Sequence, residues 1–156
     1  MPTEMVRTYK VEENFCNLIL SRVNIPDQTK ITYTGADIPE LVPIIKKLVS
    51  TYISETNITE YANLSNIKIE NLIYFYPPRT TMNFLGEHSK NIKVFIHLVD
   101  SESITEVYNT FTDTTIRVKP KKGDVIMFPA CWLILQRHTS TKEGVKMFIN
   151  STVDIL

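Results

Sequence analysis

The chain has 156 residues, of which 43% are hydrophobic, enough for one ordinary core and, we expect, one domain spanning 1–156. Lysine and arginine number 17, as do aspartate and glutamate, so no net field attracts nucleic acid or an anionic membrane. The apolar runs fall far short of the ~20 residues that cross a bilayer, and the segment MPTEMVRTYKVEEN lacks an apolar signal sequence. We therefore expect an intracellular, cytoplasmic protein that recognises its ligand locally.

The first predicted element is a helix over residues 12–22. Phe15, Leu18 and Ile19 share one helical face. Acidic residues stand at its start and Arg22 at its end, an arrangement that complements the helix dipole.

A second helix is predicted over residues 41–53, where apolar residues recur with a 3.6-residue period. Asp37 and Glu40 are acidic residues of the kind that favours the start of a helix. Pro43 predicts that regular hydrogen bonding begins only after it. The two helices form an expected helical support over about residues 10–56.

From about residue 67 to residue 153, short β-rich runs alternate with turn residues about every ten positions. Eight such strands fit a jelly roll. The predicted strands are 67–76, 81–87, 91–99, 104–111, 114–119, 124–128, 131–137 and 145–153.

The two cysteines, Cys16 and Cys131, do not have the spacing of a metal site. In a reducing compartment we expect them to be buried thiols and not a disulfide.

Four fragments of the C-terminal half carry a resemblance to a known family. The most distinctive is VKPKKGDVIMFPACW: a strand, a Lys-Lys-Gly turn, an apolar strand, then Phe-Pro and an aromatic residue. YFYPP and IKVFIHLVD precede it, and GVKMFIN follows it. In this order, after two helices, they resemble the prolyl-4-hydroxylase-like iron(II)/2-oxoglutarate-dependent oxygenases, phage and viral members included, over about residues 70–153. The resemblance implies an α+β, mainly β fold: a double-stranded β-helix of about eight strands preceded by two helices.

The resemblance also implies a metal site that has degenerated. In that family a His-x-Asp/Glu pair and a second histidine hold iron(II), and a lysine or arginine of the last core strand binds 2-oxoglutarate; Lys146 takes that last place. No His-x-Asp or His-x-Glu sequence occurs in the chain. His88-Ser89-Lys90 puts a cation where the acid belongs, and Gln136 stands at the vestigial position of the second histidine.

Each of the three histidines has two interpretations. His97 stands where the resemblance places a pocket tyrosine, so it lines the mouth of the roll or is a structural histidine with a backbone partner. His88 is either a hairpin residue or an alternative metal ligand. His138 either belongs to a solvated turn or is the other alternative metal ligand. Glu87 adds little beside His88, because adjacent strand residues point to opposite faces.

Lys146 lies in an otherwise apolar strand, so it either faces water on the outer sheet or has an anionic partner. With Arg137 on a nearby strand, a pocket for a dicarboxylate or phosphate is one interpretation. Tyr74 and Tyr76 alternate with Phe75 and line the same mouth, unless they show only the alternation of any half-buried strand.

Three functions follow from these patterns. The leading hypothesis is a non-catalytic protein of the oxygenase fold that binds a small molecule or a protein partner, without metal or cofactor. The second is an active iron(II)/2-oxoglutarate-dependent dioxygenase, a hydroxylase with displaced ligands. The third is a structural jelly-roll component of a virion type.

Overall fold

A computed structural model describes residues 5–24, 28–35, 38–56, 67–86, 92–130, 134–140 and 144–155. It contains helices α1, Glu13–Arg22, and α2, Leu41–Thr56. The strands are β1 Arg7–Lys10, β2 Thr32–Gly35, β3 Ile67–Tyr76, β4 Leu85–Gly86, β5 Ile92–His97, β6 Ile104–Asn109, β7 Thr114–Val118, β8 Asp124–Pro129, β9 Ile134–Thr139 and β10 Lys146–Ile155. Within the described residues, no helix combines the length and the apolar character needed to cross a bilayer.

The strands form two antiparallel sheets. The large sheet has the order β1-β8-β5-β10-β3-β2, and the small sheet has the order β4-β9-β6-β7. Strands distant in sequence lie side by side, as when β10 pairs with both β3 and β5. This is the jelly-roll arrangement, and it confirms the predicted α+β, mainly β fold with two helices before the core strands.

The sequence prediction missed the two strands of the N-terminal part. Strand β1 extends the large sheet beyond β8, with Arg7 opposite Met127, and β2 extends it beyond β3, with Thr32 opposite Phe75. Each is four residues long, too short for a period of two to stand out. The predicted strand 81–87 was also too long: within the described residues only Leu85–Gly86 is paired.

Helix α2 begins at Leu41, so Pro43 lies in its first turn, which is compatible with the expectation that regular hydrogen bonding begins only after the proline. The first four N–H groups of a helix have no acceptor within it, so a proline in the first turn costs no hydrogen bond. Both helices pack on one face of the large sheet. Their buried residues, among them Cys16, Ile45 and Tyr52, form one core with the sheet residues of that face.

A second, smaller core fills the space between the two sheets. Phe95, Phe128 and Phe148 contribute from the large sheet, and Val107 and Ile134 from the small one. Because side chains alternate along a strand, β10 serves both cores: Met147 and Ile149 face the helices, whereas Phe148 faces the small sheet. The residue before Met147 therefore points between the sheets.

The Lys-Lys-Gly turn before β8 is fixed by tight backbone contacts. Gly123 has φ of +95°, and its N–H donates to the His97 carbonyl while its own carbonyl accepts from the Val11 N–H, at 2.9 and 2.8 Å. A Cβ at this position would lie 2.5 Å from the Val11 oxygen. Only glycine combines this φ with this approach.

We expect Gly123→Ala to lower the free energy of unfolding by about 2 kcal/mol or more, from left-handed strain and the clash with Val11. Urea unfolding followed by circular dichroism measures it. Gly35→Ala is the matched control, because nothing lies within 4 Å of a Cβ there; it should change the free energy by about 0.5 kcal/mol or less. Equal effects of the two changes would contradict the role given to Gly123.

Candidate functional site

Lys146 is the first residue of β10, and its side chain lies between the sheets. Its exposed fraction is 0%. The Nζ donates to the Ile104 carbonyl oxygen at 3.0 Å and lies 2.8 Å from His138 Nδ1. Both partners belong to the small sheet, so this one side chain joins the two sheets. The interpretation of Lys146 as a solvent-facing residue of the outer sheet was wrong.

His138 faces Lys146 from β9 and is 4% exposed. Along this strand Ile134, Gln136 and His138 point inward, while the residues between them are only half buried. The imidazole stacks on the Phe148 ring, with centroids 4.6 Å apart, and its Nε2 lies 3.3 Å from Gln136 Oε1. The assignment of His138 to a solvated turn was therefore wrong, because the small sheet carries polar residues on its inner face.

His97 approaches from β5 and is fully buried. Its Nδ1 lies 2.9 Å from the Asp124 carbonyl oxygen, and its Nε2 lies 2.9 Å from Thr105 Oγ1. A carbonyl only accepts, so Nδ1 carries the proton and Nε2 accepts from the threonine hydroxyl. This is a structural histidine with both ring nitrogens satisfied. We call Lys146, His138, His97, Gln136 and Thr105 the Lys146 cluster.

The basic groups of the cluster titrate far below their ordinary ranges. Burial lowers the pKa of Lys146 from 10.5 to about 6. Burial, and next the positive charge of Lys146, lowers the pKa of His97 to about 4 and that of His138 well below 6.5. A neutral lysine amine keeps two N–H donors, enough for the Ile104 carbonyl and His138 Nδ1. The cluster is therefore mainly uncharged and internally bonded at neutral pH.

Aromatic rings lead from the surface to the cluster. Tyr33, which is 64% exposed, stacks on Tyr74 with centroids 5.6 Å apart. Tyr74 stacks on Phe148 at 5.5 Å, and Phe148 stacks on His138. Tyr76 is 3% exposed, packs against His138 at 5.5 Å, and has a pKa raised by burial. Tyr74 and Tyr76 thus face the inter-sheet space, whereas Tyr33 and Phe148 were not singled out from sequence.

Arg137 does not share a pocket with Lys146, so that expectation was wrong. It alternates with the inward-facing Gln136 and His138 and therefore points to the outer face of the small sheet. There its Nη2 donates to Glu106 Oε1 at 2.7 Å, and its guanidinium lies 4.3 Å from the centre of the Phe84 ring.

The remaining residues singled out from the sequence lie away from the Lys146 cluster or outside the described residues. His88, Glu87 and Cys131 are outside the described residues; Cys16 is a free, buried thiol. Among the described residues, no group of three or more His, Cys, Asp or Glu side chains could hold a metal ion. Three clefts of about 540, 500 and 610 Å³ lie on the surface, and none is lined by a member of the Lys146 cluster.

The burial of Lys146 predicts a rise in stability with pH. Its folded-state pKa lies below the unfolded one, so between about pH 6.5 and 9 the unfolded chain binds a proton that the folded chain does not. The free energy of unfolding then rises by about 1.4 kcal/mol per pH unit from this group. Lys146→Met removes the group, so the stability of the original chain relative to this variant should rise by about 3 kcal/mol between pH 6.5 and 9.

Urea unfolding of both proteins at the two pH values measures this difference. Lys46→Met, on the exposed side of α2, controls for the general effect of losing a lysine. A difference between the original chain and Lys146→Met that stays constant over this range would contradict the buried, neutral amine.

No family model and no curated protein matches the chain. Solved structures do match it. A prolyl-4-hydroxylase from Pseudomonas putida gives a TM-score of 0.70 at 8% identity, covering 99% of this chain and 94% of that one. A 2OG-Fe(II) oxygenase family oxidoreductase from Burkholderia pseudomallei gives 0.69 at 9% identity, covering 97% and 85%.

A prolyl hydroxylase from Trichoplax adhaerens, solved with a peptide fragment of the hypoxia inducible factor oxygen degradation domain, gives 0.60 at 13% identity, covering 98% of this chain and 84% of that one. At these identities the similarity shows the fold alone. The chain has the double-stranded β-helix fold of the prolyl-hydroxylase-like 2-oxoglutarate oxygenases.

Proposed function

We propose that this chain is a non-catalytic protein of the oxygenase fold, which binds a protein partner or a small molecule without iron or 2-oxoglutarate. The observation that carries the proposal is the Lys146 amine, fully buried and bonded to His138 Nδ1 and the Ile104 carbonyl. An oxygenase needs the corresponding lysine free to meet its co-substrate. Here its donors are used inside the protein.

The described residues do not fit an iron(II) and 2-oxoglutarate centre. Such a centre needs a carboxylate ligand beside its histidines, and no member of the Lys146 cluster is a carboxylate. Lys146, His97 and Thr105 have no accessible surface, so no water-sized space adjoins them, let alone one for a five-carbon dicarboxylate. Both ring nitrogens of His138 face other partners, Lys146 and Gln136.

Because side chains fill the space between the sheets, we place binding on the exterior of the protein. Exposed side chains at the entrance of the aromatic series, with Tyr33 outermost, offer a face to a small molecule. The outer face of the small sheet combines Arg137, Phe84 and Tyr108, residue types that are enriched where proteins bind one another. We favour the protein partner, because that face carries charge as well as aromatic surface.

One observation favours the second candidate, an active dioxygenase with displaced ligands. His138 and Lys146 lie side by side between the sheets, on the last two strands of the chain. A histidine and a lysine from these strands are what an oxygenase brings to its metal and co-substrate. His88, the other alternative ligand of this function, lies outside the described residues.

Metal binding and turnover separate the two functions. The purified chain is incubated with iron(II) and 2-oxoglutarate under air, with an active oxygenase of this class in parallel. We expect iron well below one equivalent after desalting, and no succinate above the rate without protein, because the amine and imidazole are already bonded to each other. Stoichiometric iron together with succinate would contradict the proposal.

Two variants make the result specific. His138→Gln and His88→Ala should leave the metal content unchanged, since neither residue holds iron in the non-catalytic protein. Circular dichroism checks that both variants fold. Iron lost from either folded variant, but retained by the original chain, would establish the displaced-ligand dioxygenase instead.

A further inference from the structure

Strand β7, Thr114–Val118, forms one edge of the small sheet. It pairs with β6 on one side, and no described strand pairs with it on the other. Over residues 115–118 of such an edge, the backbone N–H and C=O groups that point away from β6 can accept a further strand. All five of its residues are exposed or only half buried, and all have polar or β-branched side chains, a composition suited to pairing.

A ladder of alternating charge crosses the outer face of the small sheet and ends at this edge. Arg137 on β9 and Arg117 on β7 are the direct cross-strand partners of Glu106 on β6. Arg137 Nη2 lies 2.7 Å from Glu106 Oε1, and Arg117 Nε lies 2.8 Å from Oε2. We call these three residues the charged ladder. Its order from the interior of the sheet to the edge is positive, negative, positive.

Arg117, the member of the charged ladder at the edge, has side-chain N–H donors beyond the one that it gives to Glu106. The Arg117 side chain is 69% exposed, and among the described residues its only hydrogen bond runs from Nε to Glu106. Glu106 is 4% exposed, because the two arginines cover it, and they hold its pKa below the ordinary value although burial opposes this. The carboxylate accepts three hydrogen bonds from the two arginines, and among the described residues the terminal amino groups of Arg117 donate none to it.

The surface next to the edge is also rich in cations. A cleft of about 500 Å³ between β1 and the end of β7 is lined by Lys10, Lys119 and Lys121. Asp124 pairs with Lys10 at 3.4 Å, and Glu102 pairs with Lys119 at 2.6 Å. Arg117 and these three lysines concentrate positive charge at one end of the edge, which complements an acidic partner. At the other end, the Asp113 carboxylate accepts a hydrogen bond from the Tyr108 hydroxyl.

We propose that the β7 edge accepts an extended acidic segment of a partner protein as an added strand, with an aspartate or glutamate opposite Arg117. The inference rests on the proposed function in one respect, that binding occurs on the exterior. The added carboxylate continues the alternation of the charged ladder, and the backbone of the segment satisfies the edge. The alternative role of Arg117 is to prevent the edge from pairing with another chain, as charged residues do on many edge strands.

A model peptide tests the added strand directly. The probe is a blocked octapeptide of alternating glutamate and valine, added to isotope-labelled protein, with the alternating lysine and valine peptide as control. We expect the acidic peptide alone to shift the amide resonances of Thr114–Val118 and to slow hydrogen exchange of alternate amides there. Lack of both effects, or equal effects of the two peptides, would overturn the proposal.

Variants test the ladder. Arg117→Glu should weaken binding of the acidic peptide about tenfold, the loss of one charge-assisted contact, whereas Lys46→Glu, the same charge reversal on α2, should leave the affinity within about twofold. If both variants weakened peptide binding equally, the interaction would depend only on net charge, and the proposed site would be overturned. The site would also be overturned if an oligothymidine bound as tightly as the acidic peptide and left the β7 amides unprotected against hydrogen exchange. Iron binding is measured separately, so failure here and failure of the non-catalytic function are distinguishable.

Discussion

The burial of the Lys146 amine between the two sheets is the constraint on which the interior depends. A lysine fully removed from water is stable only if its donors are satisfied or its charge is lost. Here the Ile104 carbonyl and His138 Nδ1 accept its N–H groups, and burial lowers the pKa of the amine to about 6. The amine and the imidazole that a co-substrate and a metal would need at this place are bonded to each other.

The surroundings of Lys146 follow from that constraint. Phe148 and the neighbouring aromatic rings exclude water from the amine, so the histidines beside it stay neutral. His97 in turn holds Thr105 of the small sheet and the start of β8, whose turn is closed by Gly123. The distinctive turn of the sequence and the buried amine therefore belong to one packed unit. Because the helices cover the outer face of the large sheet, the outer face of the small sheet is the surface on which we propose binding.

Much of the fold could be predicted from sequence, since turn residues separate the strands regularly and an apolar period marks both helices. The site was harder. VKMFIN is apolar on both faces, so alternation alone does not tell whether Lys146 faces water or the second sheet. The polar run around His138 suggested exposure, because nothing local shows that every second residue points inward. The pairing of Arg137 with Glu106, 31 residues apart, depends on a strand register that no local pattern encodes.

The proposed function requires that Lys146 be a buried, internally bonded amine and not a co-substrate anchor. The most direct measurement is the pH titration of its Nζ and Cε resonances by NMR, assigned by comparison with Lys146→Met. The structure predicts half-protonation near pH 6. Half-protonation near the ordinary value of about 10.4 would contradict it, because the amine would then be hydrated or paired with an anion in solution.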